Sequence, residues 1–220
     1  MKTRHPMQPC IQRSQRRQRR QRSQRHERSQ RGFTLIELMV TITLLGILLS
    51  LAAPSFSQWT RNARVRTVSD TLQTGARLAQ TEAVRRNRQV VFFLSNDAGC
   101  SASTAPAANG AFWAIRTVPL TAGDPAETVK CGNVSDAAGG VTINGPTAIC
   151  FNSMGRQAAN ASPGAGTATC TLAASGLSSY DVASLGSDRP LRVLVTVGGQ
   201  VRQCDPARTL SATAPDGCPP

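Results

Sequence analysis

Residues 1–31 carry no apolar pattern: they repeat Arg, Gln and Ser, as in Arg13-Ser-Gln-Arg-Arg-Gln-Arg-Arg-Gln-Arg-Ser-Gln-Arg25. Such a composition has nothing to bury and predicts a segment without a fold of its own. At Phe33 the character reverses. The next 21 residues, to Ala53, contain one ionisable group, Glu37. A helix of that length spans roughly 31 Å, close to the hydrocarbon thickness of a bilayer. Beyond it, Phe56, Trp59, Ala63, Val68, Leu72, Ala76, Ala79 and Ala83 recur at three- to five-residue steps and predict an amphipathic helix to about Asn87. Pro54 is expected to kink this helix without ending it, and Gly46 to loosen it upstream.

After Asn87 the period changes. Gln89-Val-Val-Phe-Phe-Leu94 and Ala111-Phe-Trp-Ala-Ile-Arg-Thr-Val118 read as strands, with shorter ones at 129–131, 141–143 and 148–151. Residues 100–110 and 158–166 read as loops, 152–156 as a turn, and 167–172 as a strand pairing with an earlier one. Leu191-Arg-Val-Leu-Val-Thr-Val197 is the clearest strand, and Gly198-Gly199 turns it into Gln200-Val-Arg-Gln-Cys204. A helix followed only by strands predicts an α+β fold, the helix stripe packed on an antiparallel sheet. No internal repeat is visible.

Charge and cysteine content sharpen this picture. The net charge of +13 is concentrated at the start: residues 1–32 hold Lys2 and ten Arg against Glu27, or +10. From residue 89 onward there are 7 basic and 8 acidic residues, so this part offers no general basic surface for nucleic acid. The arginines of the helix are expected on a solvated face. The basic segment just before an apolar run places it on the cytoplasmic side, where anionic lipid heads attract it; an arginine-rich RNA-binding arm is the other reading. Of seven cysteines, Cys10 lies in the basic segment. The other six contain no Cys-x-x-Cys, which argues against clustered zinc and for disulfides outside the cytoplasm. Six cysteines allow fifteen pairings. Cys204 with Cys218 closes a short terminal loop containing Pro and Gly. Cys100 with Cys131 and Cys150 with Cys170 are the remaining pairs considered, and buried free thiols the alternative.

Gly32-Phe33-Thr34-Leu35-Ile36-Glu37, followed by the uncharged run, resembles the processing site of type IV prepilins and type II secretion pseudopilins. The resemblance implies cleavage between Gly32 and Phe33 by a prepilin peptidase, N-methylation of Phe33, and a role for Glu37, fifth in the mature chain, in filament assembly. It implies a division into a leader 1–32, a transmembrane helix half 33–53, an amphipathic half 54–88 and a periplasmic β-rich domain 89–220. Inner-membrane lipids and other pilins are the implied partners. A conventional signal peptide cut near Ala52-Ala53-Pro54-Ser55 is the competing reading, and it would discard Glu37. If the cut falls after Gly32, both histidines, His5 and His26, leave with the leader. No imidazole then remains for a hydrolytic triad or a metal site, and no catalytic residue, metal or cofactor is expected.

Physics supports a special place for Glu37. The new amine on Phe33 and a neighbouring subunit's Glu37 carboxylate would each be costly to bury alone, and together they neutralise each other. An interfacial Glu37 that snorkels to the headgroups is the plainer reading.

Two further patches, Ile149-Cys-Phe-Asn-Ser-Met-Gly-Arg156 and Val193-Leu-Val-Thr-Val-Gly-Gly-Gln-Val-Arg-Gln-Cys-Asp-Pro206, resemble GspH/FimT-like minor pilins and pseudopilins. Minor subunits of this kind prime assembly or cap the fibre. Some members bind DNA through a Gly-Arg-x-Arg turn. Here Gly199-Gln200-Val201-Arg202 keeps the glycine and the second arginine, with Gln200 in place of the first. DNA contact, in uptake during transformation, would rest on Arg202 with Arg192, Arg208 or Arg156, and loss of one phosphate contact weakens it. A membrane-tethered enzyme is the remaining alternative; the missing histidines and Ser/Gly/Ala-rich loops oppose it.

Overall fold

A computed structural model describes residues 32–121, 123–134 and 139–220. Residues 1–31, on which the leader expectation falls, lie outside them, as do the side chains of Ala52 and Pro54. The chain divides into two compact units that meet between Leu51 and Ala52. The backbone is helical from Leu35 to Arg85 (α1), which comprises the stretches Leu35–Leu51 and Ser55–Arg85.

In the second unit, α1 ends at Arg85 because Asn87 takes a left-handed conformation, with φ of 49°. The Arg88 amide donates to the Ala83 carbonyl and the Asn87 amide to Val84, closing the last turn. Two antiparallel sheets follow. The first has the order β3-β2-β1-β5, from Thr128–Asn133, Phe112–Thr117, Val90–Ser95 and Ala148–Phe151. The second has the order β4-β6-β7-β8-β9, from Val141–Asn144, Leu177–Ser184, Leu191–Thr196, Val201–Thr209 and Gly217–Cys218; its last pair is parallel.

One core joins α1 to both sheets. Val65, Val68, Leu72, Ala76, Ala79 and Ala83 pack against Phe92, Trp113 and Ile115 of the first sheet and Tyr180, Val193, Val195 and Val201 of the second. Phe92 sits at its centre, with ring centroids 6.1 Å from Trp113 and 6.2 Å from Tyr180, the latter edge-on. The small residues on α1 let the helix approach closely. Trp113 lies over its strand partner Gly132, where a Cβ would collide with the indole.

The other face of the first sheet is also covered, which explains the unbroken apolar run of β1. Val91, Phe93, Ala114 and Cys150 lie beneath irregular segments that contribute Ala165, Ala168 and Cys170. Disulfides Cys100–Cys131 and Cys150–Cys170 fasten these covering segments, with Cα separations of 5.9 and 5.6 Å; Cys204–Cys218 fastens β9 to β8 at 5.0 Å. Cys204–Cys218 is the pair expected from its short loop, and the other two are the pairs considered beside it. Beneath the covers lies Arg116, only 2% exposed. Its guanidinium is 5.2 Å from the Phe93 ring centroid. It donates to the carbonyls of Ser101 (2.9 Å) and Thr104 (3.3 Å) on one loop and Gly164 (3.1 Å) on the other.

Several expectations need correction. Residues 167–172 form no strand; Cys170 makes a single bridge with Asn160, inside the supposed loop 158–166, because its disulfide holds it flat on the first sheet. Strands β6 and β9 are additional to those predicted. The buried stripe of α1 runs through Val65, while Ala63, Phe56 and Trp59 are exposed: that early phase belongs to helix not yet covered by the sheets. The helix arginines do not simply face solvent. Arg61, Arg64, Arg77 and Arg88 donate to the carbonyls of Leu185, Gly139, Val201 and Val118, and so tie α1 to the start of β8 and to the loops around it. Arg85, and then Arg86, hold the Glu82 carboxyl below the usual carboxylate range by donating to it.

Candidate functional site: the amino-terminal assembly segment

Taken by itself, the described part of the first unit is a bare apolar helix. Thr34 caps it: the Leu38 amide donates to the Thr34 carbonyl, and the Glu37 amide donates to the Thr34 hydroxyl at 3.2 Å. Thr34 and Glu37 thus stand in the spacing of a capping box, and Glu37 falls in the first turn, where the helix dipole favours a negative charge. In the sequence this cap is signalled by Thr34-x-x-Glu37. Phe33 is 82% exposed. Leu35, Ile36, Leu38, Met39, Val40, Ile42 and every larger apolar side chain on to Leu51 are exposed as well. Polar groups inside the run are turned back on the helix: the hydroxyls of Thr41, Thr43 and Ser50 donate to the carbonyls three residues earlier. A surface so apolar on all sides must be covered by lipid or by other helices. Among the described residues no single helix is long and apolar enough to cross a membrane; the stretches Leu35–Leu51 and Ser55–Arg85 reach that length and apolarity only when taken together.

The four arginines considered for DNA contact are not equivalent. Arg192, on β7, pairs with Asp181, its neighbour across the β6–β7 register. Arg208 lies 3.2 Å from Asp216 and 3.7 Å from Asp205. Among the described residues, Arg156 and Arg202 have no carboxylate partner. Turn 152–156 docks against the β7–β8 hairpin: Gln80 donates to the Gly155 carbonyl at 2.9 Å, and the Gln157 amide donates to the Val197 carbonyl at 3.0 Å. Gly199, at φ of 90°, presses on the same Gly155 carbonyl, so any Cβ there collides with it. Gly199→Val should therefore lower stability by about 3 kcal/mol and the thermal midpoint by roughly 10 °C; an unchanged melting curve would show that this docking is not required. No group of three or more His, Cys, Asp or Glu placed to hold a metal ion occurs among the described residues.

A capped apolar helix with one early carboxylate, continuing into an amphipathic half packed on antiparallel sheets, defines a pilin-like subunit. Residues 28–53 match the family model of the prokaryotic N-terminal methylation motif. Residues 68–199 match that of type II transport protein GspH, and the chain belongs to this family. It thus joins a prepilin-type N-terminal methylation motif to a domain of the GspH pseudopilin family. Solved structures with a similar course include the type IV minor pilin FimU of Pseudomonas aeruginosa strain PAO1, at 15% identity over 73% of this chain and 98% of that one, with a TM-score of 0.45. The minor pseudopilin EpsH from the type 2 secretion system of Vibrio cholerae is 11% identical over 66% and 99%, with a TM-score of 0.42. Escherichia coli GspH in solution is 14% identical over 68% and 94%, with a TM-score of 0.40.

Proposed function

We propose that this chain is cut between Gly32 and Phe33 by a prepilin peptidase, N-methylated on Phe33, and held in the inner membrane as a single span by residues 33–53 before extraction into a filament. There it primes assembly or caps the tip beside other pilins. The observation that supports this reading is the placement of Glu37: one carboxylate at the capped start of a helix whose larger apolar side chains are uncovered as far as Leu51. A carboxylate in that setting is costly unless a cation meets it, and the terminal amine exposed by cleavage at the same depth is such a cation. The work is mechanical, done by packing and register, and needs no catalytic residue.

Mass spectrometry of protein from its native membrane tests the processing. The expected first residue is N-methylated Phe33. A chain beginning after Ala53, or still carrying residues 1–32, would overturn it.

DNA capture on the same scaffold is a second reading, supported by the carboxylate-free Arg156 and Arg202 beside the docked hairpin. Arg192 and Arg208 contribute little to it, since their charges are met by Asp181, Asp205 and Asp216. Two phosphate contacts give a salt slope of about −2 on a log–log plot. In a gel-shift titration across salt, Arg202→Ala should reduce that slope by about one. A slope that Arg202→Ala leaves unchanged excludes this reading.

A further inference from the structure

The proposed span ends near residue 53, and the next turns of α1 carry an edge that the filament reading does not use. Phe56 and Trp59 stack at 5.9 Å between ring centroids and are 67% and 65% exposed. The β6–β7 loop reaches back to the same stretch of helix, where the Arg61 guanidinium donates to the Leu185 carbonyl at 3.0 Å. Leu185, at that loop's tip, is 93% exposed. On the other flank Arg64 donates to the Gly139 carbonyl at 3.0 Å. Neither Arg61 nor Arg64 has a carboxylate partner among the described residues, nor has Arg189 on the β6–β7 loop. Of the acids beside this edge, Asp188 accepts from the Asn62 amide at 2.6 Å, and Asp205 and Asp216, which line the cleft next to Trp59 and Arg189, pair with Arg208.

From these positions we infer that, before extraction, the globular domain rests this edge on an anionic lipid surface: Phe56, Trp59 and Leu185 enter the interfacial layer, and Arg61, Arg64 and Arg189 meet lipid phosphates. The inference rests on the reading of residues 33–53 as a membrane span. Helical rise decides whether the edge can reach. Phe56 and Trp59 follow residue 53 by about 4.5 and 9 Å, and Arg61 by about 12 Å. The headgroup layer is roughly 5–8 Å deep on each side. The helix thus keeps Phe56 within the thickness of the headgroup layer and Trp59 within a ring's length of it, so both can join an aromatic belt, and a loop bonded to Arg61 is within one side chain's length of the phosphates. Each guanidinium keeps donors beyond the one given to a loop carbonyl, so it can bind phosphate without releasing the loop. The excess of arginine over acid fits an anionic surface and not a basic one.

Leu185 is the informative position, because it lies far along the chain from the span and reaches the membrane only if the domain edge does. The test uses the full chain in vesicles containing brominated phosphatidylcholine, with or without phosphatidylglycerol. Tryptophan reporters are placed in a Trp59→Phe background, where buried Trp113 gives a constant signal. With Leu185→Trp, quenching in anionic vesicles should be at least about twofold greater than in neutral ones and should fall with added salt. Adding Arg64→Gln and Arg189→Gln should remove the difference. A separate reporter, Leu44→Trp, reads the span itself. If it is quenched while the Leu185→Trp reporter is not, the docked edge is wrong and the span stands. Quenching at neither position overturns the span and the inference with it. Equal quenching at Leu185→Trp in neutral and anionic vesicles overturns the anionic surface, and so does quenching that the two arginine substitutions leave untouched.

Discussion

Glu37→Ala should leave the chain processed and membrane-bound yet cut its incorporation into filaments by a hundredfold or more. Removing one partner of a buried ion pair costs about 3–5 kcal/mol, because the other charge is left unmet. Spread over an assembly equilibrium, that is a factor of about 10² to several times 10³. Here the stranded group would be the amine of a neighbouring subunit's first residue. Glu37→Gln separates charge from shape: it retains the side-chain length and acceptor but cannot neutralise the amine, so it should fail nearly as badly. Thr34 caps the helix start through its own hydroxyl, and the Glu37 amide that it receives is present in both variants, so helix fraying does not account for the loss. The measurement is the amount of processed protein in sheared filaments relative to the membrane pool. Incorporation of Glu37→Ala at the normal level would mean that the carboxylate merely snorkels to the surface.

Phe92→Ala should be the most damaging single truncation in the domain. Its side chain is fully buried, touches the α1 stripe at Gly75, and stands between Trp113 and Tyr180 from opposite sheets. Emptying such a site costs about 3–5 kcal/mol, partly as lost transfer energy and partly as residual cavity. Phe56→Ala removes an equal volume from an exposed ring on the same chain, and surface truncations of that kind stay within about 0.5 kcal/mol. Thermal denaturation of both variants, followed by near-ultraviolet dichroism in the same detergent, gives the contrast directly. Equal midpoints for the two would refute a core that joins α1 to both sheets through Phe92.

What could be read from sequence follows from how each element is buried. β1 and β7 were plain because their β-branched and aromatic residues run together, and the first sheet is covered on both faces. β6 escaped notice because only its inward positions are constrained, and one of these is Ser178, whose hydroxyl donates to the Gln157 side chain instead of packing as a hydrophobe. β9 is two residues long and is held by the Cys204–Cys218 bond more than by any local preference. Phe56 and Trp59 misled the helix phase because a stripe shows amphipathicity, not where along the helix the covering sheet begins. Glu37 was conspicuous because one charge in an uncharged run needs no context. The carboxylates that occupy Arg192 and Arg208 were invisible, since Asp181 lies on the unread strand β6 and Asp216 reaches Arg208 only once the terminal loop folds back.

Arg116 ties together two loops that share no covalent link, each closed by its own disulfide. Water that enters under either lid reaches the same cation, and once hydrated that cation has little reason to keep hold of the other lid. The paired covers therefore behave as a single latch: breaking one sulfur bridge weakens the grip on both, and the outer side of the first sheet opens all at once or stays shut.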